Sequence, residues 1–219
     1  MARTLLLDLD GTLVDTLPDL AAALNRLMVS RGLAPFSHPE TALMIGDGVT
    51  VLVGRAFAAR GQEPDSQAMA DFSRDYNAHV ADASRPFPGV PEFMCDFAAK
   101  GWRLAVCTNK PEAAARALLE ALGLTQFVCA VGGGDSFPVR KPDPAHLLAT
   151  LRDAGGAPED AVMAGDHAND VVAARGAGVK SVFVTWGYGP ASMAAGADAV
   201  AADIPALAAA VERLLPVSH

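Results

Sequence analysis

The chain of 219 residues predicts an α/β protein: a Rossmann-like, three-layer parallel sheet core with a helical subdomain inserted after strand one. Three observations point there. Short apolar runs of strand length alternate with helical patterns through the second half of the chain. Residues 16–84 carry helical patterns and no clear strand. The first apolar run ends in Asp8-Leu9-Asp10-Gly11, two acidic residues one apart and then a glycine.

The first run, residues 4–9, reads as a buried strand. Alternate side chains of a strand share a face, so Asp8 and Asp10 are expected to point the same way, and Gly11 lets the backbone turn away. Two carboxylates at the mouth of an apolar strand repel each other and are poorly solvated. A divalent cation between them removes that cost; the alternative is a solvated strand end with acidic turn residues. Helical periodicity follows at 19–31, where Leu20, Leu24, Leu27 and Met28 recur, and helices are expected at 49–59 and 67–80. An excursion of this length needs its own core. Residues 16–85 are therefore expected to form an inserted helical domain, and 1–15 plus 86–219 the α/β core. The proline-bracketed Arg85-Pro86-Phe87-Pro88-Gly89 is the stiff return. Strands are expected at 103–107, 127–131, 161–164 and 181–185, and helices at 92–100, 113–122, 145–154, 170–177 and 204–215. The alternation implies crossovers and a parallel sheet covered on both faces. Asp143-Pro144 reads as a helix start, with Asp as cap and Pro in the first turn, and Pro111 as a similar start.

The composition, 51% hydrophobic and 19% charged, suits a globular protein. A net charge of -8 argues against a nucleic-acid binder, which carries a basic face. It leaves room for a small anionic ligand, because a few local cations dominate one pocket. Cys95, Cys107 and Cys129 are odd in number, lack metal-like spacing and lie beside apolar residues, so buried free thiols in a reducing compartment are expected. No secretory signal is visible, and no stretch approaches the roughly 20 apolar residues of a membrane span. The expectation is a cytoplasmic protein with no membrane partner.

Four segments fall at or just past the carboxyl ends of expected strands, the edge where open parallel sheets bind ligands. They are Asp8-Leu9-Asp10-Gly11-Thr12, Thr108-Asn109-Lys110, Lys141-Pro142-Asp143-Pro144, and Gly165-Asp166-His167-Ala168-Asn169-Asp170. Each has a plainer reading. Thr108-Asn109 caps a helix, Lys141 is a surface lysine, Asp166 is a turn residue, and Asp170 is a charge favoured at a helix start. Together they bring carboxylates, a hydroxyl, an amide and an ammonium to one edge, an inventory suited to phosphoryl transfer.

With these segments in hand, the chain resembles the haloacid-dehalogenase superfamily of aspartate-nucleophile phosphatases. DLDGTLVDT, CTNK, the lysine of KPDP and GDHANDVVAARGAG match its four signatures in order. The excursion after strand one corresponds to that family's helical cap. Within the superfamily the chain is most similar to phosphoglycolate phosphatases, on LVDTLPDLAAALNRLM, Ile45-Gly46-Asp47-Gly48, PFPGVPEF, TNKPE and Thr185-Trp186-Gly187-Tyr188-Gly189.

The resemblance implies roles. Asp8 attacks phosphorus and forms an aspartyl phosphate. Asp10 protonates the leaving alkoxide and then deprotonates the hydrolytic water. Magnesium is held by Asp8, the main-chain carbonyl of Asp10 and Asp166, with Asp170 supporting it or holding Lys141. Thr108, Asn109 and the backbone amides of Leu9 and Gly11 hold phosphate oxygens, and Lys141 offsets the charge of Asp8 and phosphate. The implied partner is a small phosphate ester, 2-phosphoglycolate first, for a monomer or homodimer. Another small phosphate ester, such as a sugar phosphate, and phosphomutase chemistry are the alternatives, ahead of dehalogenation or a non-catalytic phosphate sensor.

Two departures stand out. His167 occupies a position where the fourth signature usually has a small hydroxyl residue; it either tunes the site beside the metal or sits in a tolerant loop position. Gly176 replaces a commoner alanine, with no evident chemical consequence. Gly46-Asp47-Gly48 is either a substrate-facing loop, with Gly48 as a binding residue, or a helix–helix turn. Arg55, Arg60, Arg74 and Arg85 are candidates for a substrate carboxylate, and nothing in the sequence chooses among them. His38, His79, His146 and His219 form no cluster and receive no role.

Overall fold

The computed structural model describes residues 3–216. Strand β1 (Thr4–Leu7) is fully buried, as an unbroken apolar run demands of a central parallel strand. The two-residue strand β2 (Val14–Asp15) and four helices follow: α1 (Leu17–Ser30), α2 (His38–Ala42), α3 (Val49–Ala58) and α4 (Ala68–Ala78). The chain returns through β3 (Arg85–Pro86), which pairs antiparallel with β2. Strand and helix then alternate through α5 (Val90–Ala99), β4 (Arg103–Cys107), α6 (Glu112–Ala121), β5 (Val128–Gly132), α7 (Pro144–Asp153), β6 (Ala161–Gly165), α8 (Ala168–Ala177) and β7 (Lys180–Val184), ending in β8 (Ala199–Ala201) and α9 (Ile204–Leu214).

Six parallel strands form one sheet in the order β5-β4-β1-β6-β7-β8. The chain builds outward from β1 on one side and then crosses to β6 on the other. The carboxyl ends of β1, β4 and β6 therefore meet where the winding reverses, which is where doubly wound sheets hold ligands. The period of two along β1 divides the core. Leu5 and Leu7 pack with Phe93, Phe97, Leu118 and Val211 under α5, α6 and α9. Leu6 packs with Leu147, Leu151 and Ala174 under α7 and α8. Helices α1–α4 enclose a separate cluster that includes Leu24, Met28, Leu52, Phe57 and Phe72.

The expected strands and helices are present, with ends displaced by one to a few residues. Strand β1 stops at Leu7 because the Leu9 carbonyl accepts N–H bonds from Thr12, Leu13 and Val14 and closes a turn. Strict alternation therefore does not extend to Asp10. Three features escape the sequence reading: the short helix α2, the β2–β3 ribbon and the edge strand β8. Helix α2 is held by a reciprocal Ser37–Glu40 capping box. Asp143 caps α7 as expected, accepting from the Ala145 N–H, whereas Pro111 stands one residue ahead of α6 instead of in its first turn.

One expectation needs correction. Only Cys107 of the three cysteines is buried; Cys95 and Cys129 are exposed, on the outer side of α5 and on the edge strand β5. Gly176, to which the sequence assigns no chemical role, packs closely: a Cβ there would lie 3.0 Å from Pro144 Cγ, where α8 crosses α7. Among the described residues no helix is long and apolar enough to cross a membrane.

One buried carboxylate ties α1 to the return strand. Asp19 accepts the Ala83 N–H at 3.0 Å, the Ser84 N–H at 2.7 Å and the Ser84 hydroxyl at 2.6 Å. Replacing Asp19 by Ala leaves these donors unsatisfied. Urea denaturation of the Asp19→Ala variant should show a loss of about 2–4 kcal/mol, the cost of removing a charged acceptor from buried donors.

Candidate active site

Asp8 directly follows β1, its N–H still paired with the Ala164 carbonyl of β6 at 2.9 Å. Its carboxylate Oδ1 accepts the Leu9 N–H at 2.7 Å and faces Lys141 Nζ at 3.0 Å. Lys141 is buried and its ammonium has three acceptors: Asp8, Asp170 Oδ1 at 2.6 Å and the Cys107 carbonyl at 2.6 Å. Asp170, in the first turn of α8, accepts the His167 N–H through its other oxygen. Asp166 follows β6 and is fully buried. Thr12 Oγ1 reaches its Oδ1 at 3.2 Å, while the N–H groups of Tyr188 and Gly189 reach Oδ2 at 2.7 and 3.3 Å.

Ligand atoms of Asp8, Asp166 and Asp170 all lie within 4.8 Å of one another. Burial pushes the Asp8 carboxyl up to about 7; Lys141 opposes the rise, and Asp170, Asp166 and Asp10 add to it. Asp170 is raised for the same reason, again against Lys141. Burial acts to lower Lys141, but Asp170 and Asp8 outweigh it, and the lysine lies above its ordinary value. Asp8 and Asp170 thus share one ammonium, while Asp166 beside them is held by the neutral donors of Thr12, Tyr188 and Gly189 and lies 3.7 Å from His167 Nδ1.

Asp10 turns to a different partner. Its Oδ1 lies 3.0 Å from Lys110 Nζ, and that ammonium also donates to the Tyr76 hydroxyl of α4 at 2.7 Å. Burial acts to lower Lys110, but Asp10 and Tyr76 outweigh it and raise the lysine. Asp8 and Asp10 nonetheless line one cavity between the sheet edge and α1–α4, together with Thr108, Asn109 and Lys110. The opposite walls come from Leu20, Ile45, Val49, Leu52 and Phe72, with Ser73, Tyr76 and Asn77 as polar positions. The unfilled space is about 750 Å³, its open mouth included.

The phosphate-clamp expectations divide. The Thr108 hydroxyl accepts from the Lys110 N–H at 3.2 Å, which leaves its own hydrogen for a ligand. Both amide hydrogens of Asn109 are engaged, by the carbonyls of Gly46 and Lys141, each at 3.0 Å. This side chain braces the site against the 46–48 loop and does not offer a donor. The Leu9 N–H is taken by Asp8 and the Gly11 N–H by the Val14 carbonyl at 2.9 Å. Among the described residues the Asp10 N–H between them has no such acceptor. Gly11 is there for a different reason: it has φ +80°, and a Cβ would lie 2.5 Å from Asp166 Oδ2.

The 46–48 loop touches the core directly. Asn169 Nδ2 donates to Asp47 Oδ1 at 2.7 Å, and Gly48 lines the cavity. His167 is wedged here, and a Cβ on Gly46 would overlap its ring. Burial disfavours its charged form, but Asp166, Asp170 and Asp8 outweigh this and raise the imidazole. The position is thus packed, not tolerant, and the carboxylate cluster does not include it. The four candidate arginines lie outside the cavity lining. Arg55 pairs with Asp47 and Arg74 with Asp71, while Arg60 bonds the carbonyls of Ala34 and Pro35 and Arg85 that of Ser84.

Residues 5–184 match the family model of haloacid dehalogenase-like hydrolases, and the chain belongs to that family. It is 44% identical over 185 residues to a phosphoglycolate phosphatase of Agrobacterium fabrum, covering 83% of this chain and 79% of that one. A crystal structure of a predicted phosphoglycolate phosphatase from Haemophilus somnus superposes with a TM-score of 0.87 at 31% identity, covering 94% and 96% of the two chains. CbbY from Rhodobacter sphaeroides, solved in complex with phosphate, gives 0.79 at 25% identity over 93% and 95%.

Sequence reasoning assigned nothing to Lys110, Tyr76 or Tyr188. The Tyr188 hydroxyl donates to Asp15 at 2.8 Å and accepts the N–H groups of Thr16 and Leu17 at 2.7 and 2.9 Å. The loop that holds Asp166 is thereby pinned to the start of α1. The WGYG run carried that signal: a Cβ on Gly187 or Gly189 would overlap Asp166. Gly187→Ala should displace the Asp166 carboxylate while the circular dichroism spectrum of the fold is retained, and should lower the affinity of the carboxylate cluster for an added divalent cation about tenfold by calorimetry.

Proposed function

We propose that this chain is a magnesium-dependent phosphomonoester hydrolase acting on 2-phosphoglycolate, with Asp8 as nucleophile. The observation that carries the reading is the Asp8, Asp166 and Asp170 cluster, set at the switch point of the sheet beside Lys141, with its Asp8 lining the cavity that also contains Asp10. The names of the relatives supply the substrate.

The donor set fits a hard divalent ion. It is made of carboxylate oxygens, buried, in excess of the nearby ammonium, with no thiolate or imidazole in the group. Asp8, Asp166 and the carbonyl of Asp10 would hold magnesium, with Asp170 supporting. When bound, the ion neutralises the repulsion between Asp8 and the phosphate dianion.

This chain's own residues do the rest. The Leu9 N–H and Lys141 fix Oδ1 of Asp8 and leave Oδ2 to approach phosphorus. A bond forms from Asp8 to phosphorus as the bond from phosphorus to the glycolate oxygen breaks. Asp10, aimed by Lys110, gives that oxygen its proton. Water then attacks the aspartyl phosphate, Asp10 takes its proton, and Asp8 leaves. The Thr108 hydroxyl and the free N–H of Asp10 are the donors for phosphate oxygens. Residues 16–85 act as a cap that shuts the cavity and excludes water.

The apolar walls favour a short substrate over a sugar phosphate. Polyol hydroxyls buried against Leu20, Ile45, Val49 and Leu52 would lack partners. We assign the enzyme to the cytoplasm, since three free cysteines suit a reducing compartment.

A phosphate-release screen over a few dozen small esters should rank 2-phosphoglycolate first, with activity lost in chelator and restored by magnesium. Equal rates across the panel would remove the substrate assignment. Asp8→Asn should lower kcat by about 10⁴–10⁶-fold in a folded protein, as loss of other covalent nucleophiles does. An active Asp8→Asn variant would remove the mechanism.

A further inference from the structure

We propose that Lys110 binds the carboxylate of the substrate and so selects phosphate esters of short 2-hydroxy acids, an inference that rests on the phosphomonoester hydrolysis described above. Lys110 is the one cationic side chain among the described residues that line the cavity, and its side chain is only 3% exposed. An ammonium has three hydrogens. Asp10 Oδ1 and the Tyr76 hydroxyl take two of them, at 3.0 and 2.7 Å, and the third has only Asp10 Oδ2 at 3.4 Å, a long contact that a ligand carboxylate can replace. The ammonium also sits 4.3 Å from the centre of the Tyr76 ring, which fixes it between α4 and the sheet edge.

The position matters because of what Asp10 does. Asp10 must reach the oxygen that leaves phosphorus, and Lys110 Nζ is within hydrogen-bond distance of that same carboxyl group. Whatever substituent the substrate carries on the carbon next to its leaving oxygen therefore comes to Lys110. In a phosphorylated 2-hydroxy acid that substituent is a carboxylate. Arg55, Arg60, Arg74 and Arg85 are engaged outside the cavity, and Arg140, whose guanidinium approaches Gly48, is not among the residues that line it. Beyond Lys110 the walls are Leu20, Ile45 and Phe72, which match a substrate that ends at the carboxylate.

The test compares 2-phosphoglycolate with ethyl phosphate, which has a methyl group in place of the carboxylate. Wild type, Lys110→Met and Tyr76→Phe are assayed for kcat/KM on both esters. A charged hydrogen bond of this kind corresponds to about 10–100-fold. Lys110→Met should therefore lower kcat/KM on phosphoglycolate about 10–100-fold more than on ethyl phosphate. Tyr76→Phe, which keeps the ammonium and loses the hydroxyl that positions it against α4, should shift the preference in the same direction by less. A wild type that prefers phosphoglycolate, with variants that keep that preference whatever their loss of rate, overturns the inference and leaves the proposed function standing. A wild type with no preference overturns both and locates the failure in the substrate. If Lys110→Met does not fold, Tyr76→Phe decides alone, and an unshifted preference overturns the inference.

Discussion

Three buried carboxylates around one ammonium are the constraint on which the rest of this molecule depends. Asp8, Asp166 and Asp170 come from the ends of two adjacent strands and the start of a helix, and Lys141 is the cation paired with Asp8 and Asp170. Such a cluster is unstable by itself, because burial and mutual repulsion both disfavour ionisation. The fold holds it together with fixed donors. Thr12, Tyr188 and Gly189 bind Asp166, the His167 N–H binds Asp170, and the Leu9 N–H binds Asp8. The excess negative charge that remains is what a divalent cation and a phosphate ester together require.

The parallel sheet supplies the rigidity. Strands β1, β4 and β6 are neighbours, so Asp8, Thr108 and Asp166 emerge side by side from backbone fixed by strand pairing. The helices α1–α4 bring a different kind of wall. Their apolar residues close the cavity above these groups, and Tyr76 reaches down to the Lys110–Asp10 pair. The 46–48 loop adds a second seam, through Asn109 and Asn169. Chemistry thus resides on the sheet edge, and the shape of the substrate space is set jointly with the helices.

The legibility of this arrangement followed a physical rule. Asp8, Asp166 and Asp170 could be placed because each stands at a strand end or helix start, where local pattern already determines position, whereas Lys141 lies in the loop between β5 and α7 and is singled out by the motif resemblance. Lys110 stood in a recognised segment, but its partners Asp10 and Tyr76 are 100 and 34 residues away, and no local periodicity reports such contacts. Asn109 could be read as an amide near the site. That its hydrogens are held by two carbonyls follows only from tertiary packing. The cysteines show the same limit from the other side. Cys95 and Cys129 sit beside apolar residues, yet one faces outward on α5 and the other lies on the sheet's edge strand. The exposed arginines of the helical unit looked available as charges and are instead held by neighbouring acids and carbonyls.

The most direct measurement of the central claim is the urea stability of wild type and Asp8→Asn at pH 8, in chelator and in magnesium. The Asp8 carboxyl is raised to about 7, so above that pH the cost of its ionisation is fully present in the folded state. In chelator the asparagine variant, with Lys141 still held by Asp170 and Cys107, should be the more stable protein. Magnesium should then stabilise wild type by more than the variant and close or reverse the gap. An asparagine variant less stable than wild type in chelator would mean that the cluster is content without a cation, and would contradict the account.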